Sequence, residues 1–317
     1  MDSDFRNRLT KQSYHIVGGH SAVKRCEWLR KALTQKRFCY KHSFYGIASH
    51  RCMQCTPALQ FCSHACTFCW RTQEKDSEIP EGNFNWDEPS EIAEGMLREQ
   101  LRIASGYGGN EKVEKEMWLE AKKPSQVALS LAGEPTLYPH LSELIGEFSN
   151  RGMTTFLVTN GTYPKALEAL NKLPTQLYIS MVAPDKEHYK RICRPWVSDG
   201  WESIMRSMEL MKDAKTRTVL RMTLARGLNY LNEDGYVKQI NDTLPNYVEV
   251  KSFMFIGGSR EPGRNLSLES MLKHPEIVEF AKALAEKTGY IVSEEHTSSR
   301  VVLLCRDEKS LKKRIIN

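Results

Sequence analysis

Short apolar runs recur through the middle of the chain at 57–61, 126–131, 153–159, 176–182, 217–224 and 247–255. Several are apolar almost without interruption, the pattern of strands covered on both faces. Between them, apolar residues at three- and four-residue spacing predict amphipathic helices over 89–104, 139–150, 164–171, 200–213 and 234–243. Strands alternating with helices predict a parallel sheet with helical crossovers. Six such units are two short of a closed eight-stranded barrel. A doubly wound open sheet competes with this reading, but it usually carries a Gly-rich phosphate turn after its first strand. Here the first strand runs into a cysteine loop.

The ends read differently. A helical pattern covers 21–36, and the Gly- and charge-rich stretch 106–123 predicts a loop. After Gly257-Gly258 the chain predicts a helix near 275–288 and a strand pair at 289–293 and 300–305. The expected division is therefore an N-terminal extension over 1–56, an α/β core over 57–255 and a small C-terminal extension over 256–317.

With 317 residues, 40% of them apolar and 26% charged, the chain has enough apolar side chain for a sizeable core, and fibrous and disordered classes are excluded. No apolar run approaches the ~20 residues of a membrane span. The start lacks a basic stretch followed by an apolar one, so a cytoplasmic protein without a membrane partner is expected. Charge is uneven. Residues 1–51 hold eleven basic and three acidic side chains, a net +8, against −2 for the remainder. A basic N-terminal sixth suggests a polyanionic partner, with a solvated basic helix as the plain alternative. Further basic clusters lie at Lys122-Lys123, Lys186 to Arg194 and Lys312-Lys313-Arg314. Aromatic residues stand among the charges at Phe38, Tyr40, Phe44, Tyr45 and Trp196, as in proteins that stack single-stranded RNA.

Seven of nine cysteines precede residue 70. The odd count and the missing leader argue against a disulfide framework and for metal. Cys62, Cys66 and Cys69 form a C-x3-C-x2-C triplet directly after the first predicted strand, where a parallel barrel places its active-site loops. Three thiolates on one loop ligate three corners of a cubane cluster and leave one iron open. Zinc is the alternative, with His64 or Cys55 as fourth ligand. Cys26, Cys39 and Cys52 are separated by twelve intervening residues each time, a spacing with no local geometric meaning; they converge only if different elements bring them together. Lys41 stands two residues after Cys39, where burial would turn a surface charge into a nucleophilic amine. Cys193 and Cys305 read as buried, unreactive thiols.

The 62–69 loop, with Phe68 before its last cysteine, resembles the signature of the radical S-adenosylmethionine superfamily. That resemblance implies a partial (βα)6 barrel, in agreement with the six apolar runs. It also implies a [4Fe–4S] cluster whose open iron chelates S-adenosylmethionine and, on reduction, yields a 5′-deoxyadenosyl radical. Within it, Ala132-Gly133-Glu134-Pro135-Thr136 is similar to the motif that meets the methionine amine, through Gly133 and Glu134. Asn160, Ser180 and Thr223 stand where relatives contact the cofactor.

Both cysteine triplets together, with Trp70-Arg71 after the second and the basic N-terminus, resemble the tRNA 4-demethylwyosine synthase family over essentially the whole chain. This implies a second [4Fe–4S] cluster on Cys26, Cys39 and Cys52, with Cys55 outside the ligand set, and Lys41 as a Schiff-base lysine. It also implies the substrates: N1-methylguanosine in tRNA-Phe, and pyruvate. In the implied carbon–carbon lyase reaction, a radical made on the methyl group attacks the pyruvate carbonyl carbon. The carboxylate carbon is lost and a third ring closes. Eukaryotic forms carry a fused flavodoxin-like domain for which these residues leave no room, so an external electron donor and a monomer are expected. Two readings from other classes stay open at this level: a zinc-stapled RNA-binding module, and a radical enzyme acting on a peptide.

Overall fold

The computed structural model describes residues 1, 3–71, 79–80 and 84–316. The N-terminal elements are α1 (Ser3–Lys11), β1 (Tyr14–Val17), β2 (Ser21–Lys24), α2 (Glu27–Gln35), α3 (Tyr40–Tyr45) and β3 (Cys52–Thr56). There follow α4 (Pro89–Ser105), α5 (Lys115–Ala121), β4 (Gln126–Leu129), α6 (Leu141–Asn150), β5 (Thr154–Thr159), α7 (Pro164–Glu168) and β6 (Gln176–Ser180). The rest comprises α8 (Lys186–Cys193), α9 (Gly200–Leu210), β7 (Arg217–Leu224), α10 (Asp234–Thr243), β8 (Tyr247–Ser252), α11 (His274–Thr288), β9 (Ile291–His296), β10 (Val301–Cys305) and α12 (Glu308–Lys312).

The ten strands among the described residues join one sheet in the order β1-β2-β3-β4-β5-β6-β7-β8-β10-β9. The six from β3 to β8 are parallel, each beside the next in sequence, as consecutive βα units require. Antiparallel pairs extend both edges: β1 and β2 beside β3, and β10 and β9 beside β8. The mixed α/β fold with its six-stranded parallel partial barrel is the one expected.

Strand alternation sorts the apolar side chains into two cores. Val127, Leu129, Leu157, Leu177 and Ile179 face outward beneath the helices, with Ile92, Met96, Leu144, Phe148 and Ile204. Ala128, Phe156, Tyr178, Val219 and Tyr247 face the concave side, where Tyr40, Phe44 and Tyr45 of α3 close over them. At roughly 1.5–3 kcal/mol per buried large side chain, these two layers hold the barrel wall from either side. Among the described residues no helix is long and apolar enough to cross a membrane.

Three expectations shift. The first barrel strand is Cys52–Thr56, not 57–61, which turns immediately: Phe61 N–H donates to Ala58 O at 3.2 Å. The helix expected over 21–36 begins only at Glu27, because Ser21–Lys24 is claimed by pairing with β1 and β3. The expected loop 106–123 contains α5, whose Trp118 indole donates to Ala104 O at 2.8 Å and docks the insertion on α4.

Candidate active site

The loop carrying Cys62, Cys66 and Cys69 leaves the C-terminal end of β3 and is tied down by backbone hydrogen bonds. Ala65 N–H donates to Cys193 O at 3.0 Å, Thr67 N–H to Ile192 O at 2.8 Å, and Arg264 donates to Cys66 O at 2.8 Å. Phe68 packs on the outer core and so anchors the loop between two of its cysteines. All three cysteines are half-buried and none of them is in a disulfide. Burial drives the Cys62 and Cys69 thiols up; the charges of Cys66 and Glu134 add to it at Cys62, whereas Arg71 and Arg264 oppose it at Cys69. The hydrogen bond that the Cys66 thiol donates to Cys193, together with burial, drives Cys66 up as well. Three crowded thiols that resist ionising together suit a positively charged iron–sulfur core, which offsets the repulsion.

The 132–136 motif fits against this loop at a glycine. Gly133 has φ +66°, and a Cβ there would lie 1.7 Å from Ala58 O and 2.6 Å from Phe61 O. Glu134, 2% exposed, uses its carboxylate to fasten the ends of β4 and β5. Oε1 accepts from Thr136 N–H, Thr136 Oγ1 and Thr159 Oγ1 at 3.0, 2.7 and 2.6 Å. Oε2 accepts only from Asn160 N–H at 2.7 Å, which leaves it capacity for an ammonium group. Burial raises the Glu134 pKa against these four donors. The Asn160 amide donates to Ser63 Oγ at 2.8 Å and lies 3.9 Å from Cys62 Sγ, so its side chain supports the loop. Ser180 and Thr223 lie at the same ends of β6 and β7, in register with Arg221 and Lys251 respectively.

The upstream cysteines arrive from three elements. Cys26 caps α2 and Cys39 caps α3, both with extended backbone, and Cys52 begins β3 on the concave face. Helix N-termini favour anionic sulfur. The backbone N–H groups of Trp28 and Leu29 favour the Cys26 thiolate, and that of Lys41 the Cys39 thiolate, against burial. The three thiols interact electrostatically with one another and with Lys41. Burial pushes Cys39 and Cys52 up to about 12. This donor set is compatible with a cubane as well. Cys55 belongs to the outer core, its thiol 3.8 Å from Ala128 O, so it faces away from Cys52.

Lys41 is buried among aromatic rings, its Nζ 4.2 Å from the Phe156 centroid and 4.9 Å from that of Tyr178. Burial and the neighbouring Arg221 charge lower its pKa, opposed by Cys52, Glu249 and Cys39.

Reading the sequence alone missed the polar wall around Lys41. Arg221 Nε donates to Glu249 Oε2 at 2.8 Å. Tyr45 donates to Glu249 Oε1 at 2.8 Å and Tyr40 to Oε2 at 3.2 Å. Lys251 donates to Ser299 O at 2.6 Å, and burial and Arg221 lower its pKa to about 8. The available signal was charge at alternate positions in two otherwise apolar strands, Arg217/Arg221 and Glu249/Lys251. Cys193 is buried, as expected, and it groups with His64 and Cys66, their ligand atoms within 4.8 Å. That is the only such group among the described residues, and it is one ligand short of a structural zinc site.

The chain matches the model of the radical SAM superfamily over residues 57–234 and that of wyosine base formation over 242–306. It is 48% identical to the S-adenosyl-L-methionine-dependent tRNA 4-demethylwyosine synthase of Pyrococcus abyssi, over 97% of this chain and 90% of that one. It is 41% identical to the synthase of the same description from Methanocaldococcus jannaschii, over 96% of each. Among solved structures it superposes on TYW1 with a lysine–pyruvate adduct bound at a TM-score of 0.87, with 39% identity, covering 100% of this chain and 98% of that one. On archaeal TYW1 the TM-score is 0.81, with 36% identity and 100% coverage of both.

Proposed function

From the premise that this chain belongs to the S-adenosyl-L-methionine-dependent tRNA 4-demethylwyosine synthases, radical SAM enzymes of the wyosine pathway, we propose that it condenses N1-methylguanosine of tRNA-Phe with pyruvate. The methyl carbon joins pyruvate C2, the carboxylate carbon leaves, and the exocyclic guanine amine closes the third ring to give 4-demethylwyosine. In this reading the enzyme is a carbon–carbon lyase. Membership of a family of tRNA-modifying enzymes displaces both the zinc module and the peptide-acting enzyme.

Cys62, Cys66 and Cys69 would hold the [4Fe–4S] cluster, and Cys26, Cys39 and Cys52 a second one. With S-adenosylmethionine bound, the first supplies the radical that takes hydrogen from the methyl group. Gly133 lets the 132–136 backbone close on the cysteine loop, and Glu134 Oε2 receives the methionine ammonium. Asn160 keeps Ser63, and with it Cys62, in place.

Convergence of Lys41 with the upstream thiols on the concave face is the observation that carries the pyruvate reading. Arg221 and Lys251 against Glu249 leave this wall cationic, which attracts a small carboxylate. The neutral Lys41 amine attacks the pyruvate carbonyl carbon, the oxygen departs as water, and the imine carbon is more electrophilic than the ketone. A lysine–pyruvate adduct in the relative's structure supports this step.

The test is anaerobic reconstitution with iron, sulfide, S-adenosylmethionine, pyruvate, a chemical reductant and methylated tRNA-Phe, followed by nucleoside mass spectrometry. The tricyclic nucleoside is expected. Its absence, while deoxyadenosine is released, would overturn the substrate assignment.

A further inference from the structure

Cys52, Gln126 and Thr154 are register neighbours at the N-terminal ends of β3, β4 and β5. Two residues further on, Ala128 and Phe156 belong to the concave core, whereas Val127 and Leu157 belong to the outer one. Gln126 and Thr154 therefore face the same side as Cys52 and Lys41.

Gln126 is only 8% exposed, yet its Oε1 has no hydrogen-bond partner, and Thr154 Oγ1 has none either. Elsewhere on this wall polar groups are paired. Gln176 Nε2 donates to Tyr178 OH at 2.6 Å and its Oε1 accepts from Arg217 at 2.9 Å, while both Glu249 oxygens are engaged. A buried acceptor without a donor costs stability, so an orphan on the face that carries Cys52 and Lys41 marks a place where a ligand donor would complete it.

The required ligand group is an N–H or O–H donor. Pyruvate is an anion with acceptors only. The methionine ammonium belongs at the opposite end of β4, beside Glu134. Resting on the reading that a methylated guanine enters this wall, we propose that Gln126 recognises its exocyclic amine. Oε1 accepts from the N2–H group, and Thr154 Oγ1 accepts the second N–H or a bridging water. The carbonyl edge of the base is left to Lys251 and Arg221, which are donors. Gln126 is thus a specificity-determining residue: it holds the amine that must later close the third ring, and it selects guanine over a purine lacking that amine.

The experiment compares Kd of the reconstituted holoprotein for two tRNA-Phe molecules, one with 1-methylguanosine and one with 1-methylinosine at the target position. These differ only in the exocyclic amine. Wild type is expected to bind the guanosine form about tenfold more tightly, the loss expected when a buried acceptor goes unpaired. Gln126→Leu, with iron content and deoxyadenosine release retained, should bind both within about twofold. If Gln126→Leu does not load iron, Gln126→Met makes the same comparison. Equal wild-type affinities, or a preference that survives in the variant, would overturn the assignment. Failure of the underlying reading is separable: wild type would then give no tricyclic product from the guanosine form, whatever its binding preference.

Discussion

Arg221 of β7 and Glu249 of β8 form an ion pair across neighbouring strands, Nη2 to Oε2 2.8 Å, with the carboxylate fully buried. Two tyrosines from α3 complete the carboxylate, so this pair joins the barrel wall to the helix that carries Lys41. The pair also sets the charge that Lys41 experiences, with Arg221 depressing its pKa and Glu249 opposing.

Removing one partner leaves the other charged and uncompensated. Glu249→Ala should cost roughly 3–5 kcal/mol in anaerobic urea unfolding. The double change Arg221→Met with Glu249→Leu should cost markedly less than Glu249→Ala alone. Equal losses would mean the pair contributes little beyond packing.

The same pair predicts a pH signature. The Lys41 amine is reactive when neutral, and its pKa is lowered, so imine formation with pyruvate should rise with pH and level off below the ordinary lysine value of about 10.4. Arg221→Met removes a charge that lowers the pKa and should move the midpoint up. Glu249→Gln removes one that raises it and should move the midpoint down. Borohydride trapping of labelled pyruvate against pH reads both shifts. Coincident midpoints in all three proteins would refute the electrostatic link.

Much of this architecture can be read from residues. The β4 to β8 runs are apolar because helices cover one face and α3 the other, and this shows as near-continuous hydrophobicity. Strand β3 hides because its sequence is Cys-Met-Gln-Cys-Thr: the alternation is polar toward the concave face, and its partner β2 is distant in sequence. The ligand loop is legible since spacing within eight residues fixes its geometry. The upstream triplet and the Glu249 network depend on long-range pairing, which local spacing does not encode. The side that Cys55 takes follows from strand alternation once β3 is placed: three residues from Cys52, it lies on the other face.

That alternation separates two neighbouring cysteines experimentally. Cys52→Ala, like Cys26→Ala or Cys39→Ala, should lower iron by about half, spare some deoxyadenosine release and abolish tricyclic product. Cys55→Ala should retain full iron and product while losing about 1 kcal/mol of stability to the small cavity. Iron analysis with product assay decides, and loss of iron in Cys55→Ala would reassign the ligands.

Gly133→Ala places a Cβ against the Ala58 and Phe61 carbonyls at a left-handed φ. The cysteine loop must move, so S-adenosylmethionine cleavage should fall at least about tenfold, while the left-handed backbone separately costs roughly 1–3 kcal/mol of stability. Near-wild-type deoxyadenosine release would show that the loop tolerates the shift.

RNA binding should be electrostatic and carried partly by α2 and the turn after it. Arg30 there pairs with Glu27 at 2.5 Å, Lys36 pairs with Glu114 at 3.0 Å, and Lys31 stacks 4.7 Å from the Trp28 centroid. Each phosphate neutralised on single-stranded RNA contributes a slope of roughly −0.7 in log affinity against log salt. Reversing Arg30, Lys31, Lys36 and Arg37 together should flatten the slope. An unchanged slope would move the footprint to the barrel rim or the C-terminal tail.

The central claim, that this chain builds a third ring from pyruvate, is tested most directly by isotope tracing. Reconstituted enzyme is supplied with methylated tRNA-Phe and pyruvate carrying carbon-13 either at C2 and C3 or at C1. The account predicts a product nucleoside two mass units heavier with the first label and unshifted with the second. Retention of the C1 label, or no label from either pyruvate, would contradict it.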